Sequence, residues 1–333
     1  MHQFSTGAKK KEQDDSLKCG GVQDLNNRLG PRSGQNEARR RRRPVTMLGI
    51  ARQTATMRRV QFFEFHEQAW CPSFVRNGVT DALQFGIHHT SAYAPVVPMI
   101  ESALDATHSQ SIVDMCSGGG GPWVDLARQL EARRPPVSTG RVDPLDLQIL
   151  LTDKYPNLGA FENVKAASGN GISFYATPID AMKVPEELHG LRTMFTSFHH
   201  FPPDEARAIL QNAVDAGKGI GIFEMPRRAP STILLTFAFV FSLFICTPLI
   251  RPFSWSRLFW TYLVPIIPFV LLFDGVVSCL RTYGPEELRE MVGQLKGGEY
   301  RWEIGAASGG ATPITYLVGS PLAPSLDSGQ NSG

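Results

Sequence analysis

Acidic, glycine and histidine residues stand at the ends of short apolar runs in this chain, which is where they would do chemistry. Residues 112–115 carry Asp114 in a buried-strand pattern, followed directly by Cys116, Ser117, Gly118, Gly119, Gly120 and Gly121. A turn of that composition lets a ligand lie against the backbone with N–H groups aimed at it, because no Cβ blocks the approach. Four more apolar runs follow, ending at Asp153, Asp180, the pair His199-His200, and Glu224. Carboxylates so placed accept hydrogen bonds from a ligand's hydroxyl or amino groups, and imidazole is suited to moving a proton near neutral pH. A dinucleotide fingerprint counted from Gly118 and Gly120 needs glycine at 123 and meets Trp123, which argues against a nicotinamide oxidoreductase. A purely structural turn stays open for the glycines, and strand-end packing for the histidines.

Positioning these residues takes alternating strands and helices. The stretch 124–132 reads as a helix with Val124, Leu126, Ala127 and Leu130 apolar. Residues 203–216 open with Pro-Asp-Glu, repeat Ala206, Ile209, Leu210 and Ala213 on one face, and stop at Gly217. Strand–helix alternation with polar strand ends predicts an α/β fold, a parallel sheet with a ligand crevice along its C-terminal edge.

On these residues the segment 112–224 resembles a class I S-adenosylmethionine-dependent methyltransferase. Asp114-Met-Cys-Ser-Gly-Gly-Gly matches the acid and G-x-G of that family's first motif, with Cys116 where glycine is commoner. The resemblance implies a Rossmann-like, mostly parallel seven-stranded sheet with helices on both faces, and S-adenosyl-L-methionine as cofactor. It implies that Asp114 and the backbone of Cys116, Ser117, Gly118, Gly119 and Gly120 hold the methionine moiety. By the same resemblance Asp153 with Lys154 meets the ribose hydroxyls, and Asp180 with Ala181 meets the adenine. Thr196 to His200, Ser197 among them, would face the reacting methyl, with His199 or His200 as base toward a hydroxyl or phenol and Glu224 as second choice. Asp153 follows Asp114 by 39 residues, where about 20 suits the related dinucleotide fold. The Pro-rich run 133–144 reads as a solvated insertion that accounts for the excess. The helix read at 283–295 and strands at 300–306 and 314–319 match what the family adds after its fifth strand.

The flanking segments differ in composition. Residues 1–60 hold 14 Lys/Arg against 5 Asp/Glu, so the net +2 of the 333-residue chain leaves −7 for the remainder. Segment 1–58, with the run Arg39 to Arg43, is expected to be a disordered basic tail. A solvated tail, an anionic membrane surface and nucleic acid are its three readings, and no interleaved aromatics favour nucleic acid. Residues 59–110 read as a helical lid, in which Phe62, Phe63, Phe65, Trp70 and Tyr93 either cover the cofactor or pack in the core. The five cysteines form no C-x-x-C pair, so neither a disulfide framework nor a cysteine zinc site is expected, and no metal is assigned.

Residues 229–280 contain 8 of the 20 Phe and only 3 charges, Arg251, Arg257 and Asp274. They interrupt the domain (111–228 before, 281–320 after, then a loose tail 321–333), so both ends lie on one side of any membrane. Two crossings, a hairpin lying in one leaflet, or a buried helical subdomain of a soluble enzyme all satisfy this, and a charge at Asp274 would be costly in a span. The expected partners are a membrane and a small-molecule or lipid-like methyl acceptor, with the catalytic domain on the cytoplasmic side. The competing expectation is a catalytically silent membrane adaptor that keeps the fold.

Overall fold

The computed structural model describes residues 57–133, 147–168, 171–310 and 312–322. The expectations for the basic tail, for residues 134–144 of the Pro-rich run and for the end of the chain lie outside the described residues. After a strap at 57–72 the described chain runs α1 (Ser73–Thr90), α2 (Val97–Ala106), β1 (Ser111–Asp114), α3 (Trp123–Arg133), β2 (Gln148–Leu151), α4 (Leu158–Ser168) and β3 (Ile172–Phe174). It continues β4 (Leu191–Phe195), α5 (Pro203–Asp215), β5 (Ile220–Glu224), α6 (Pro230–Cys246), α7 (Trp255–Leu258), α8 (Ile266–Arg281), α9 (Pro285–Gly293), β6 (Tyr300–Ala307) and β7 (Ile314–Pro321).

The strands form one seven-stranded sheet in the order β3-β2-β1-β4-β5-β7-β6. The first five are parallel; β7 runs antiparallel to β5, and β6 antiparallel to β7. The expected Rossmann-like, mostly parallel α/β sheet is therefore present. Alternation along the strands feeds two cores, one on each face. Ile112, Ile149, Leu191 and Phe223 pack with Trp123, Leu126 and Leu130 of α3. Met194, Ile220 and Ile222 pack with Ile209 and Leu210 of α5 and Met291 of α9. The chain builds outward from β1 through β2 to β3 and then returns to β4 on the other side of β1. The sheet's C-terminal edge is open at that reversal, so the turns after β1, β2 and β4 converge there.

Two strands are shorter than the apolar runs suggested. The pairing of β3 ends at Phe174 and the chain runs on as a loop to Asp180. β4 ends at Phe195 because Thr196 turns to φ 45° and Phe198–His200 form a single helical turn. The carboxylate of Glu224 takes the N–H groups of Ser197 and Phe198 that a longer strand would have used, at 3.0 and 2.8 Å.

The apolar insertion packs along α1. Val75, Val79 and Ala82 of α1, Val240 and Leu243 of α6, and Ile267, Val270 and Leu271 of α8 make a third core. Glycines let the axes approach: a Cβ at Gly78 would stand 2.4 Å from Ile267, one at Gly86 2.5 Å from Phe239, and one at Gly275 2.6 Å from Thr236. The tip is tied down as well. Arg257, 4% exposed, reaches Asp81 of α1 at 2.5 Å and donates to the carbonyls of Ile250 and Pro252 at 2.7 and 2.6 Å. Asp274 is satisfied inside the protein, accepting from the N–H groups of Phe65 and His66 at 2.7 and 3.1 Å.

Among the described residues one stretch, Pro230–Leu249, is long and apolar enough to cross a membrane, and 22% of its apolar window is buried. The second candidate is broken, with Trp255–Leu263 meeting α8 at 76°. One face of α6 is bare: Leu234, Phe241 and Ile245 are each 71% exposed, with Phe237 and Leu249 beside them. Trp255, Leu263 and Phe269 continue the apolar surface.

Candidate functional site

The glycine turn after β1 is built to be crossed closely by other elements. Gly118 and Gly120 adopt φ 55° and 99°, a region that disfavours a side chain. A Cβ at Gly120 would lie 2.4 Å from Val164 of α4, and one at Gly119 2.5 Å from Thr80 of α1, so helices close the turn on two sides. A Cβ at Gly118 would meet nothing within 4 Å, and this exposed residue is the open crest of the turn. Cys116 also takes a left-handed φ, 56°. A side chain there costs about 1–2 kcal/mol, so glycine's preference for this position has a local physical basis.

Asp114 shapes the turn from beneath. It is 1% exposed, and its two oxygens accept from Ser117 Oγ and Thr193 Oγ1, each at 2.7 Å. Ser117 in turn donates its N–H to the Thr152 carbonyl at 3.0 Å. Asp114 thus fixes Ser117 and β4 from a buried position beneath the turn. Burial pushes its carboxyl up to about 7, against the hydrogen bonds from Ser117 and Thr193 that lower it. Because the folded value lies above the unfolded one, native and unfolded states are equally protonated below about pH 4 and no stability is lost there. Between about pH 4 and 7 the unfolded chain ionises first, and stability falls as pH rises. Asp114→Asn is expected to remove that loss, so the difference in urea midpoint between variant and parent should move in the variant's favour from pH 4 to 7. A constant difference would refute the assignment.

Two acids flank the crest, Asp153 just past β2 and Asp180 in the loop after β3. Asp153 Oδ2 accepts the Gly118 N–H at 2.8 Å, and its Oδ1 accepts from Tyr155 N at 2.8 Å. Asp180 caps a short turn through Met182 N at 3.0 Å, and its other oxygen meets Lys154 Nζ at 3.3 Å. Both carboxylates are partly exposed, Lys154 is exposed, and Ala181 is buried in the turn that Asp180 caps. The Ile179 N–H to Asp153 carbonyl bond, 2.9 Å, ties the two acids' segments together. Each carboxylate oxygen has a second lone pair left for a ligand hydroxyl or amino group. The turn, Asp153, Lys154 and Asp180 are therefore brought together along one edge.

The β4 tip is a separate polar cluster. His199 is fully buried, its Nδ1 2.5 Å from Glu224 Oε2. Burial pushes the Glu224 carboxyl up, but the neighbouring His199 and the backbone N–H of Phe198 outweigh it and hold it below the usual range. Ser197 is buried with an unpartnered hydroxyl. His200 is the partly exposed member of the pair, and its Nδ1 meets Glu67 Oε1. Burial raises Glu67 as well, yet His200 and Arg281 bring it down to about 2. Tyr93 is buried edge-on to Phe195 and bonded to Thr196 Oγ1.

Of the two readings of the strap aromatics, packing is the one the contacts favour. Phe63 lies tilted against Phe273 of α8, and Phe65 meets Phe273 and Trp70 edge-on. These aromatics thus join the strap to the insertion, while Thr80 and Gln84 of α1 are what lie against the glycine turn. The strap also contributes Glu64, His66 and Glu67, which sequence reasoning passed over in favour of the aromatics. The signal was the Glu-Phe-His-Glu run itself, three groups able to ligate or transfer protons within four residues.

No family model matches the chain, and no curated protein matches it. Among solved structures it is similar to the pyocyanin biosynthetic protein PhzM, at 15% identity over 68% of this chain and 54% of that one, TM-score 0.38. It is similar to the mitomycin 7-O-methyltransferase MmcR at 14% identity over 68% and 53%, TM-score 0.40. A magnesium protoporphyrin IX methyltransferase from Synechocystis, solved with bound SAM, is 12% identical over 77% and 88%, TM-score 0.37. A structure described as a putative Zn-dependent alcohol dehydrogenase from Rhodobacter sphaeroides overlaps equally, at 11% identity and TM-score 0.40. The chain spans about half the length of the first two. Overlaps of this size identify neither a family nor a chemistry for it.

Proposed function

We propose that this chain transfers a methyl group from S-adenosylmethionine to a hydrophobic acceptor at a membrane surface, with the insertion lying in one leaflet. The observation that carries the reading is the open crest at Gly118, flanked by Asp153 and Asp180 at the point where the strand order reverses. The residues fit the cofactor: the crest leaves room for a ligand against the backbone, and each acid keeps lone pairs for ribose hydroxyls and the adenine amino group. When bound, S-adenosylmethionine supplies an electrophilic methyl on a sulfonium.

The protein's own part is positioning and exclusion of water. Glu224 fixes the β4 tip by holding the Ser197 and Phe198 N–H groups and His199. His199 therefore orients the tip, and His200 is the member of the pair that an acceptor's proton reaches.

The packing supports in-plane membrane attachment. Arg257 and Asp274 tie α7 and α8 to α1 and the strap, so a bilayer crossed by the insertion would have to admit α1 with Arg76 and Asp81. The bare apolar face of α6, with Val240 and Leu243 packed on its other side, gives lipid a surface to bury. Isothermal titration with S-adenosylmethionine tests the cofactor assignment. Asp153→Ala and Asp180→Ala should each weaken binding at least tenfold, about 1.4 kcal/mol. No heat with the parent chain would sink the reading and favour the silent adaptor.

A further inference from the structure

We infer that Glu64, His66 and His200 form a site for a divalent transition-metal ion of the zinc class, at the junction of the strap, the β4 tip and α8. One ligand atom from each of the three lies within 4.8 Å of the others. Zinc bonds of about 2.0–2.1 Å put tetrahedral neighbours roughly 3.3–3.5 Å apart, so side-chain rotations of about an ångström close the set.

The outer layer of hydrogen bonds already orients the imidazoles. His200 Nδ1 is held by Glu67 Oε1, which leaves its Nε2 to ligate, the carboxylate–histidine–metal arrangement. His66 Nδ1 lies between Asp274 Oδ2 at 2.8 Å and Glu64 Oε2 at 3.7 Å, so this nitrogen is the one turned toward the glutamate. His199 Nδ1 is held by Glu224, and its Nε2 borders the site 3.6 Å from Glu64 Oε1.

Two buried atoms point to a missing partner. Glu64 is 0% exposed; its Oε1 takes Ser278 Oγ at 3.1 Å and Arg281 at 3.2 Å, while Oε2 has no partner, and neither has His199 Nε2. Charge gives an independent argument. Four carboxylates (Glu64, Glu67, Glu224, Asp274) meet in this network, and Arg281 is the guanidinium paired with Glu64 and Glu67. Carboxylates outnumber the guanidinium four to one in this network, and a divalent cation placed among them would offset part of that excess.

The donor set favours an ion that accepts both imidazole and carboxylate. His66 and His200 are partly exposed, which leaves a side of the ion open to water or an acceptor hydroxyl. A bound ion takes the Nε2 lone pair of His200, so the ion, rather than His200, would lower the pKa of that hydroxyl. This last role rests on the methyl-transfer reading; ion binding does not, and it is tested without the cofactor.

The test uses the full chain without a histidine tag, in detergent micelles, stripped with a chelator and titrated with Zn2+ against a chromophoric competitor. One ion per chain is expected, with a raised melting temperature. Glu64→Gln and His200→Ala should each weaken binding at least 100-fold, and Asp274→Asn about 10–100-fold, as for an outer-layer partner. Folding of each variant is checked by circular dichroism, with His66→Gln at the exposed side replacing any that unfolds. No uptake by the folded parent chain, or parental affinity in the folded variants, overturns the site.

Discussion

Replacing Arg281 by alanine is expected to cost the fold about 3–5 kcal/mol, the range for stripping one partner from a buried ion pair. Arg281 is 2% exposed and serves three elements at once. It pairs with Glu64 at 3.2 Å and Glu67 at 2.9 Å on the strap, and donates to the His200 carbonyl at the β4 tip. Its removal takes away a charge that opposes the burial penalty on Glu64 and strips Glu67 of one of its two partners. Urea unfolding should show a lowered midpoint for Arg281→Ala. Arg281→Lys should recover only part of the loss, because one ammonium cannot reproduce a planar fork that spans two carboxylates and a carbonyl. Adding Glu64→Gln to Arg281→Ala should restore at least about 1 kcal/mol, since neighbours sharing a network do not add. A parent-like midpoint for Arg281→Ala would mean that the strap is not held by this cluster.

The second large effect concerns attachment rather than stability. The triple variant Leu234→Lys, Phe241→Lys, Ile245→Lys is expected to lose vesicle binding by at least a thousandfold. Each of the three is 71% exposed, so the protein gains little from them in water. Burying each in a leaflet contributes about 1.5–3 kcal/mol, or roughly 4–9 kcal/mol together. Flotation with phosphatidylcholine vesicles measures the partition, and a thermal melt in water should stay close to the parent's. Unchanged flotation would show that this face of α6 is not in lipid. A collapsed melt would show that it is covered by protein instead.

The β strands were legible because each apolar run ends in a polar residue, and that boundary marks the sheet's C-terminal edge. Gly118 and Asp153 stand just past such boundaries, whereas Asp180 lies in a loop six residues beyond β3 and its run did not mark a strand end. The limits of β4 were not, because they are set by Glu224, a residue on the next strand whose carboxylate captures two N–H groups. Periodicity has no access to such a contact. The insertion was legible as apolar, but its disposition was not. Asp274 reads as a costly charge in a span until Phe65 and His66, more than 200 residues earlier, are seen to supply its partners. Glu64, His66 and Glu67 of the strap were not legible beside its four aromatics, because their significance depends on His200 and Arg281 arriving from distant segments. Asp114 is marked by its motif, but its bonds to Ser117 and to Thr193, 79 residues later, are contacts that sequence does not carry.

The central claim is methyl transfer at a crest bounded by Asp153 and Asp180, and the direct measurement is transfer of labelled methyl from S-adenosylmethionine into membrane lipid extracts. Purified parent chain in vesicles is expected to label an organic-extractable product, and the Asp153→Ala, Asp180→Ala double variant, folded by circular dichroism, is expected to label none. Equal labelling by both chains, or none by a parent chain saturated with cofactor and supplied with the full extract, would contradict it.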